Sequence, residues 1–182
     1  MKFSIALIIL FTALGSRMTM SQADTRIHLK SGVNNIDLNG DGVPDAVFSA
    51  TYDNNTSHPG ATLSIFIRQK NAWYIVPVPD DDGFTWTDLK LSASVLKIAG
   101  VELHHYKSRV CLIRAVKYAG SAGRGDLTDK SPVKFSLFRL ADNNDDPGTA
   151  VFYWEASGVY ITQDAFDDVD QAFKRLDMEK FS

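Results

Sequence analysis

Short runs of β-branched and aromatic residues recur along most of the chain, separated by polar or Gly- and Pro-containing segments. This pattern favours an antiparallel β domain, because β-branched and aromatic residues favour strands, and polar residues, Gly and Pro favour turns. Eight strands are predicted, over residues 25–30, 46–52, 61–69, 73–77, 94–106, 109–119, 133–140 and 150–156.

The predicted strand 61–69 indicates how the sheets pack. Leu63, Ile65 and Ile67 alternate with other residues and form one apolar face. Phe66 interrupts the opposite, polar face, which indicates that the strand is buried on both sides. Two packed layers would provide this burial, so we predict a mainly β fold, an antiparallel β-sandwich-like domain with one C-terminal α-helix.

The C-terminal helix is predicted from the spacing of apolar residues, which differs from the alternation seen in the strands. Apolar residues recur at positions 166, 169, 173 and 176, which places them on one stripe of a helix. We expect Asp164 to cap its N-terminus. The acids Asp167, Asp168 and Asp170 are interpreted as a solvated helix start that the helix dipole favours, in preference to a second metal site.

The N-terminus has the pattern of a secretory signal peptide. Lys2 precedes an apolar run from residue 4 to residue 14, which is too short to span a bilayer permanently. Small residues at Ser21 and Ala23 predict cleavage after Ala23. Residues 1–23 are therefore predicted to be a signal peptide, and residues 24–182 a single β-rich domain with the C-terminal helix. We expect a soluble periplasmic protein without a membrane anchor after cleavage.

Charge and cysteine content narrow the possible partners. Cleavage would remove two of 19 basic residues and no acid, leaving 17 basic and 22 acidic residues, a net charge of −5. This balance argues against nucleic acid as a partner.

The single cysteine, Cys111, lies in an apolar strand-like run, and we interpret it as a small buried hydrophobe.

The segment 37–45 carries oxygen ligands at every second position, a spacing that suits Ca²⁺. Gly42 occupies the sixth position, where a calcium loop turns sharply and a residue without Cβ avoids strain. The predicted calcium ligands are Asp37, Asn39, Asp41, the carbonyl of Val43 and Asp45.

This segment departs from an EF-hand at its end. An EF-hand has a bidentate Glu at position twelve, whereas this chain has Phe48 there. The pattern resembles the short calcium loops of integrin-type propeller blades, in which the ninth residue closes the site and a strand follows. The alternative is a polar turn without metal, because Asn, Asp and Gly favour turns for their own reasons. We predict a structural Ca²⁺, because three carboxylates this close repel one another without a cation.

The motifs of familiar hydrolases are incomplete. Ser-x-x-Lys occurs at Ser94–Lys97 and at Ser131–Lys134, but both matches enter strand-like sequence, and the Ser-Asp-Asn and Lys-Thr-Gly elements are missing. His104 and His105 would face opposite sides of a strand, so one zinc ion could not easily take both. We therefore expect no enzymatic activity and assign no catalytic residue.

Aromatic residues suggest an alternative function, a calcium-stabilised carbohydrate-binding module. Sugars stack on exposed aromatic side chains, although core packing explains most aromatics in strands. Trp86 is the best surface candidate, because its neighbours are polar or acidic. The other candidates are Trp73, Tyr74, Tyr153 and Trp154.

Four segments together resemble a known family. They are residues 36–48 with the calcium-type motif, Ser131–Leu140 with Ser-Pro-Val-Lys-Phe, Val151–Tyr153, and Asp170–Phe173 with Asp-Gln-Ala-Phe. The chain resembles the carbapenem intrinsic-resistance proteins, periplasmic factors by which carbapenem-producing enterobacteria protect themselves. The resemblance extends from about residue 34 to residue 176.

This resemblance implies protection from carbapenem β-lactams without established hydrolysis. The partner would then be a carbapenem, if the protein sequesters the drug, or a cell-wall component, if it protects the target. The sequence leaves both open.

Overall fold

The structure is a computed structural model, and it describes residues 25–53, 55, 59–81, 83–91, 94–118 and 127–181. The predicted signal peptide, residues 1–23, lies outside the described residues. The strands are β1 (Gly32–Ile36), β2 (Asp45–Tyr52), β3 (Gly60–Gln69), β4 (Ala72–Ile75), β5 (Thr85–Thr87), β6 (Leu89–Lys90), β7 (Lys97–Tyr106), β8 (Arg109–Lys117), β9 (Val133–Asp142) and β10 (Phe152–Ile161). Helix α1 is Val169–Phe173, and 3₁₀ turns lie at Pro79–Asp81 and Met178–Phe181.

The strands form two antiparallel sheets. The first sheet has the order β1-β2-β3-β4, with β5 also paired to β3, and the second has the order β10-β9-β8-β7-β6. In the first sheet Val47 lies opposite Ile65, and in the second Leu103 lies opposite Leu112. These four side chains are buried in one cluster, so the two sheets pack face to face. The predicted mainly β, sandwich-like fold with a helix near the C-terminus is confirmed.

The second sheet is buried on both faces, and two apolar clusters result. The cluster between the sheets contains Leu38, Val47, Leu63, Ile65, Ile67, Val76, Val78, Trp86, Leu103, Val110, Leu112, Phe152 and Trp154. The cluster between the second sheet and the C-terminal segment contains Tyr106, Cys111, Ile113, Ala115, Val133, Phe135, Leu137, Phe166, Val169, Ala172, Phe173, Leu176 and Met178. Alternate residues of β8 belong to alternate clusters, as the twofold period of a strand requires.

The strand prediction at residues 25–30 is wrong. That segment contributes only an isolated bridge between Arg26 and His104, and the first strand is β1. The polar pair Asn34 and Asn35 conceals β1 in the sequence. Asn34 is nevertheless buried, because its side-chain amide donates to the carbonyls of Lys30, Gly32 and Val47 at 2.9, 3.1 and 3.2 Å.

Helix α1 is shorter than the predicted helical stripe. Its N-cap is Asp168, whose carboxylate accepts the N–H of Gln171 at 3.0 Å, and the predicted cap Asp164 lies outside the helix. Phe166 is held in extended backbone instead, since it exchanges two backbone hydrogen bonds with Ser131. The four apolar residues of the stripe are all buried, as expected. None of the helices in the described part of the chain is long and apolar enough to cross a membrane.

Cys111 is a buried residue of the second cluster, as predicted. Its thiol donates a long, weak hydrogen bond to the carbonyl of His104 at 3.5 Å. Burial raises the pKa of the Cys111 thiol to about 11. The thiolate is therefore scarce near neutral pH, which argues against a reactive cysteine.

Candidate functional site

A cleft opens where the segment 25–30 runs along the edge of β7, beside helix α1. It consists of two adjacent cavities of about 200 and about 520 Å³. Drug-sized ligands occupy sites of roughly 300–1,000 Å³. The two cavities share five lining residues: Arg26, Lys97, Glu102, Asp170 and Phe173. We call this region the charged cleft.

One side of the charged cleft is a chain of polar contacts around Glu102. Its Oε1 lies 3.1 Å from a guanidinium nitrogen of Arg26, and its Oε2 lies 3.1 Å from Nε2 of His104. The Oγ1 of Thr25 lies 3.0 Å from the other ring nitrogen of His104. Glu102 and His104 lie two residues apart on β7, so their side chains extend from the same face of the strand. Both are buried, and these contacts satisfy them.

Lys97 forms the other side, between two carboxylates. Its Nζ lies 2.7 Å from Oδ2 of Asp88 and 2.9 Å from Oδ1 of Asp170. Burial opposes the charge of Lys97, but the hydrogen bonds and charges of Asp170 and Asp88 outweigh burial and raise its pKa. For Asp88, burial raises the pKa, although Lys97 and the N–H of Val101 act in the opposite direction.

Gly100 allows α1 to approach β7 at this point. A Cβ built on Gly100 would lie 3.2 Å from Cδ of Lys97 and 3.3 Å from Cγ2 of Val169. Those distances are tighter than ordinary carbon contacts of about 3.5–4.0 Å. A side chain at residue 100 would therefore push Lys97 or α1 away from the cleft.

Trp86 lies in the wall of the smaller cavity. The expectation that it is a surface residue is wrong, because only 4% of it is exposed. Thr85 and Thr87 are exposed on β5, and the strand's alternation turns Trp86 inward against Phe138. Its Nε1 donor is buried without a hydrogen-bond partner among the described residues. Trp154, another candidate for sugar stacking, is also buried.

The two Ser-x-x-Lys matches do not build a nucleophile in this structure. Lys97 contacts Asp88 and Asp170, while Oγ of Ser94 accepts the N–H of Leu96 at 3.1 Å. In the second match Ser131 is buried and Lys134 is exposed. His104 is buried and His105 exposed, so the two imidazoles face opposite sides, as expected.

The predicted calcium ligands lie in the loop between β1 and β2, with Asp45 at the start of β2. Gly40 and Gly42 have φ of 80° and 82°, the left-handed conformation that glycine tolerates. The carboxylate of Asp37 accepts the N–H groups of Gly40 and Gly42 at 2.7 and 2.9 Å. Asp41 accepts the N–H of Val43 at 2.7 Å. These side-chain bonds fold the loop on itself.

Asp45 differs from the other predicted ligands because it is completely buried. Its two oxygens accept the N–H of Leu38 at 2.8 Å and the N–H of Arg68 at 2.9 Å. Burial raises the pKa of this carboxyl, and the charges of Asp41 and Asp37 raise it further, while the two N–H groups lower it. Asp45 therefore ties the loop to β3 by hydrogen bonds.

The donor chemistry of the loop suits Ca²⁺, since Asp37, Asn39, Asp41 and Asp45 all carry oxygen donors. A carboxylate oxygen that accepts one N–H keeps a lone pair for a cation. Among the described residues, however, no three His, Cys, Asp or Glu side chains are gathered around a common point for a metal ion. The calcium site stays a prediction.

The comparisons with known proteins identify the family. The family model for carbapenem resistance protein CarG-like matches residues 29–175. The chain belongs to the CarG-like family. The structure described as "Crystal structure of CarG" is similar to this chain with a TM-score of 0.79 and 34% identity, over 87% of this chain and 99% of that one. No curated protein matches the sequence.

The CarG-like match covers the loop 37–45 and most of the charged cleft. Lys97, Glu102 and Asp170 lie within it, and Arg26 lies just before it. The sequence does not single out the cleft, because its lining residues come from six separate parts of the chain, between residues 25 and 176. One signal was available: Glu102 and His104 are polar at alternate positions of β7 and follow the apolar run from residue 98 to residue 101.

Proposed function

We propose that this protein protects bacteria from carbapenem β-lactams, acting in the periplasm by binding and without hydrolysing the drug. Membership of the CarG-like carbapenem resistance family carries this proposal. Two features support it. The N-terminal sequence has the pattern of a signal peptide, and the Ser-x-x-Lys motifs build no activated serine in the described residues.

Expression of the full chain in a carbapenem-sensitive strain should raise the inhibitory concentration of imipenem several-fold. A variant without residues 1–23 is the control, because protection in the periplasm requires export. Purified protein should leave the β-lactam absorbance of imipenem unchanged. An unaltered inhibitory concentration, with the protein present in the periplasmic fraction, would refute the proposed function.

The loop 37–45 has a supporting role in this proposal: it binds a structural Ca²⁺ through Asp37, Asn39, Asp41, the Val43 carbonyl and Asp45. The oxygen spacing, the left-handed glycines and the mutual repulsion of the carboxylates support the assignment. Bound Ca²⁺ would neutralise that repulsion and stabilise the entrance to β2. We expect the ion to act on stability, because the charged cleft is lined by other residues.

Asp41→Ala tests the calcium proposal. A ligand that binds only the folded state stabilises it by about 2.7 kcal/mol at a concentration of 100 times its Kd. Wild-type protein should therefore melt roughly 5–10 °C higher in saturating Ca²⁺ than in EDTA. Asp41→Ala should lose most of this difference, since it removes one charged ligand.

The matched control is Asp53→Ala, an exposed aspartate outside the loop, which should keep the full calcium effect. Calorimetry on EDTA-stripped wild-type protein measures binding directly. Absence of heat at millimolar Ca²⁺ would leave the loop as a polar turn.

A further inference from the structure

We propose that the charged cleft binds a ligand carboxylate, with Lys97 and Arg26 supplying positive charge and the indole N–H of Trp86 donating to a neighbouring carbonyl. The inference deepens the proposed function, because carbapenems carry a carboxylate close to a lactam carbonyl. The C-terminal D-alanyl-D-alanine of cell-wall peptides has the same two groups. Both ligands therefore enter the test.

The two carboxylate partners of Lys97 are unequal. The Asp88 side chain is 10% exposed, whereas that of Asp170 is 47% exposed. Water reaches Asp170 more readily than Asp88, so the bond from Lys97 to Asp170 opens more easily than the bond to Asp88. A ligand carboxylate can replace Asp170 on Lys97, and the half-exposed Asp170 side chain can then turn toward water.

Trp86 supplies an independent sign of a ligand. A buried N–H without an acceptor is uncommon in folded proteins, because the group has lost its bonds to water. Trp86 lines the smaller cavity together with Lys97. Its Nε1 has almost no accessible surface, so the indole must shift before one molecule in that cavity can contact both groups. A carbonyl oxygen of the ligand would provide the missing acceptor.

The remaining walls suit a small, partly apolar anion. Leu63, Val101 and Phe173 line the smaller cavity with hydrocarbon. The larger cavity adds Lys174 and His28 near its opening. The walls of the cleft mix charged, polar and apolar side chains, so they suit a ligand that carries a charge on a partly apolar frame.

Calorimetry on the purified exported protein tests the site, with imipenem and N-acetyl-D-alanyl-D-alanine as separate probes. Asp170→Asn should bind roughly threefold to tenfold more tightly than wild type, because the competing carboxylate is gone. Its matched control is Asp164→Asn, an exposed aspartate that pairs with Arg175 and should leave binding unchanged. A purely structural role for Asp170 predicts equal or weaker binding, and that result would overturn the proposal.

Trp86→Phe keeps an aromatic ring and removes the N–H, and it should weaken binding about fivefold. Trp73→Phe, at an exposed tryptophan on β4, is its control. If Trp86→Phe binds as tightly as wild type, the indole does not contact the ligand and its assigned role fails. Lys97→Met should abolish binding, but it leaves the buried Asp88 without its charged partner. If Lys97→Met does not fold, the result for Asp170→Asn decides.

The choice of probes separates this site from the proposed function. Binding of imipenem alone supports drug sequestration in the cleft, and binding of the dipeptide alone supports a cell-wall target. If neither probe binds, the proposed carboxylate site is wrong, even if the expressed protein still protects cells. If a probe binds but the expressed protein does not protect cells, the carboxylate site is supported and the proposed function is refuted.

Discussion

Replacing Asp45 by Ala should lower the free energy of unfolding by about 3 kcal/mol in EDTA, and by more in Ca²⁺, because a proposed calcium ligand is lost as well. The carboxylate is 0% exposed and accepts the N–H groups of Leu38 and Arg68. A buried donor that loses its acceptor costs about 1–3 kcal/mol. The substitution leaves the buried N–H of Leu38 and the partly buried N–H of Arg68 without their acceptor. Relief of the repulsion from Asp41 and Asp37 offsets part of this loss. The melting temperature should fall by roughly 6–12 °C.

Urea denaturation in EDTA, followed by tryptophan fluorescence, measures this effect apart from any metal. Asp41→Ala serves as the matched control, because the Asp41 carboxylate accepts the N–H of Val43 and the side-chain amide of Asn39, both in the exposed part of the loop. In EDTA that control should lose less than about 1 kcal/mol. If Asp45→Ala destabilises the protein only when Ca²⁺ is present, Asp45 is a metal ligand alone and our account of its hydrogen bonds is wrong.

Asp45 illustrates how far the loop could be predicted from its sequence. The spacing of oxygen donors and glycines predicts the turn, and both glycines adopt the left-handed backbone that this requires. The spacing cannot reveal that the ninth residue points into the protein and accepts the amide of Arg68, 23 residues later. That contact depends on the pairing of β2 with β3, which no local pattern contains.

The strands with apolar repeats were predictable, while short or polar ones were not. β2, β3, β8 and β9 follow the apolar runs to within one or two residues at most ends. Strand β5 is only three residues long, and its exposed threonines make Trp86 look like a surface residue. Its burial comes from the packing of β5 on the second sheet, a tertiary effect that overrides the polarity of its neighbours.

The helix prediction identified the buried residues correctly but gave the wrong backbone conformation at Phe166. Phe166 and Phe173 are both buried in the second cluster, as a single helix would also have required. The backbone at Phe166 pairs with Ser131 instead of continuing the helix. A long-range bridge thus replaced local hydrogen bonds that the sequence period favoured. Lys97 and Asp170 are even farther apart along the chain, which is why the charged cleft could not be predicted.

Lys117→Met should destabilise the protein by about 3 kcal/mol and loosen its C-terminal segment. Lys117 is 4% exposed, and its Nζ donates to the carbonyls of Leu127 and Asp129 at 2.7 Å each and of Asp167 at 2.8 Å. Methionine fills a similar volume but donates nothing, so three carbonyls lose a charged donor. Because Leu127 is only partly buried and Asp129 is exposed, water can reach some of these groups and limits the loss.

Hydrogen exchange should detect where this stability is lost. In Lys117→Met, amides of residues 127–131 and 166–173 should exchange faster, while those of β2 and β3 should change only through global unfolding. Lys134→Met, at an exposed lysine on the neighbouring strand β9, is the matched control and should stay within about 0.5 kcal/mol of wild type. Equal effects of the two substitutions would mean that the three carbonyl bonds do not anchor the segment. The segment carries Phe173, which lines both cavities of the charged cleft, so its loosening should also weaken the binding of any ligand there.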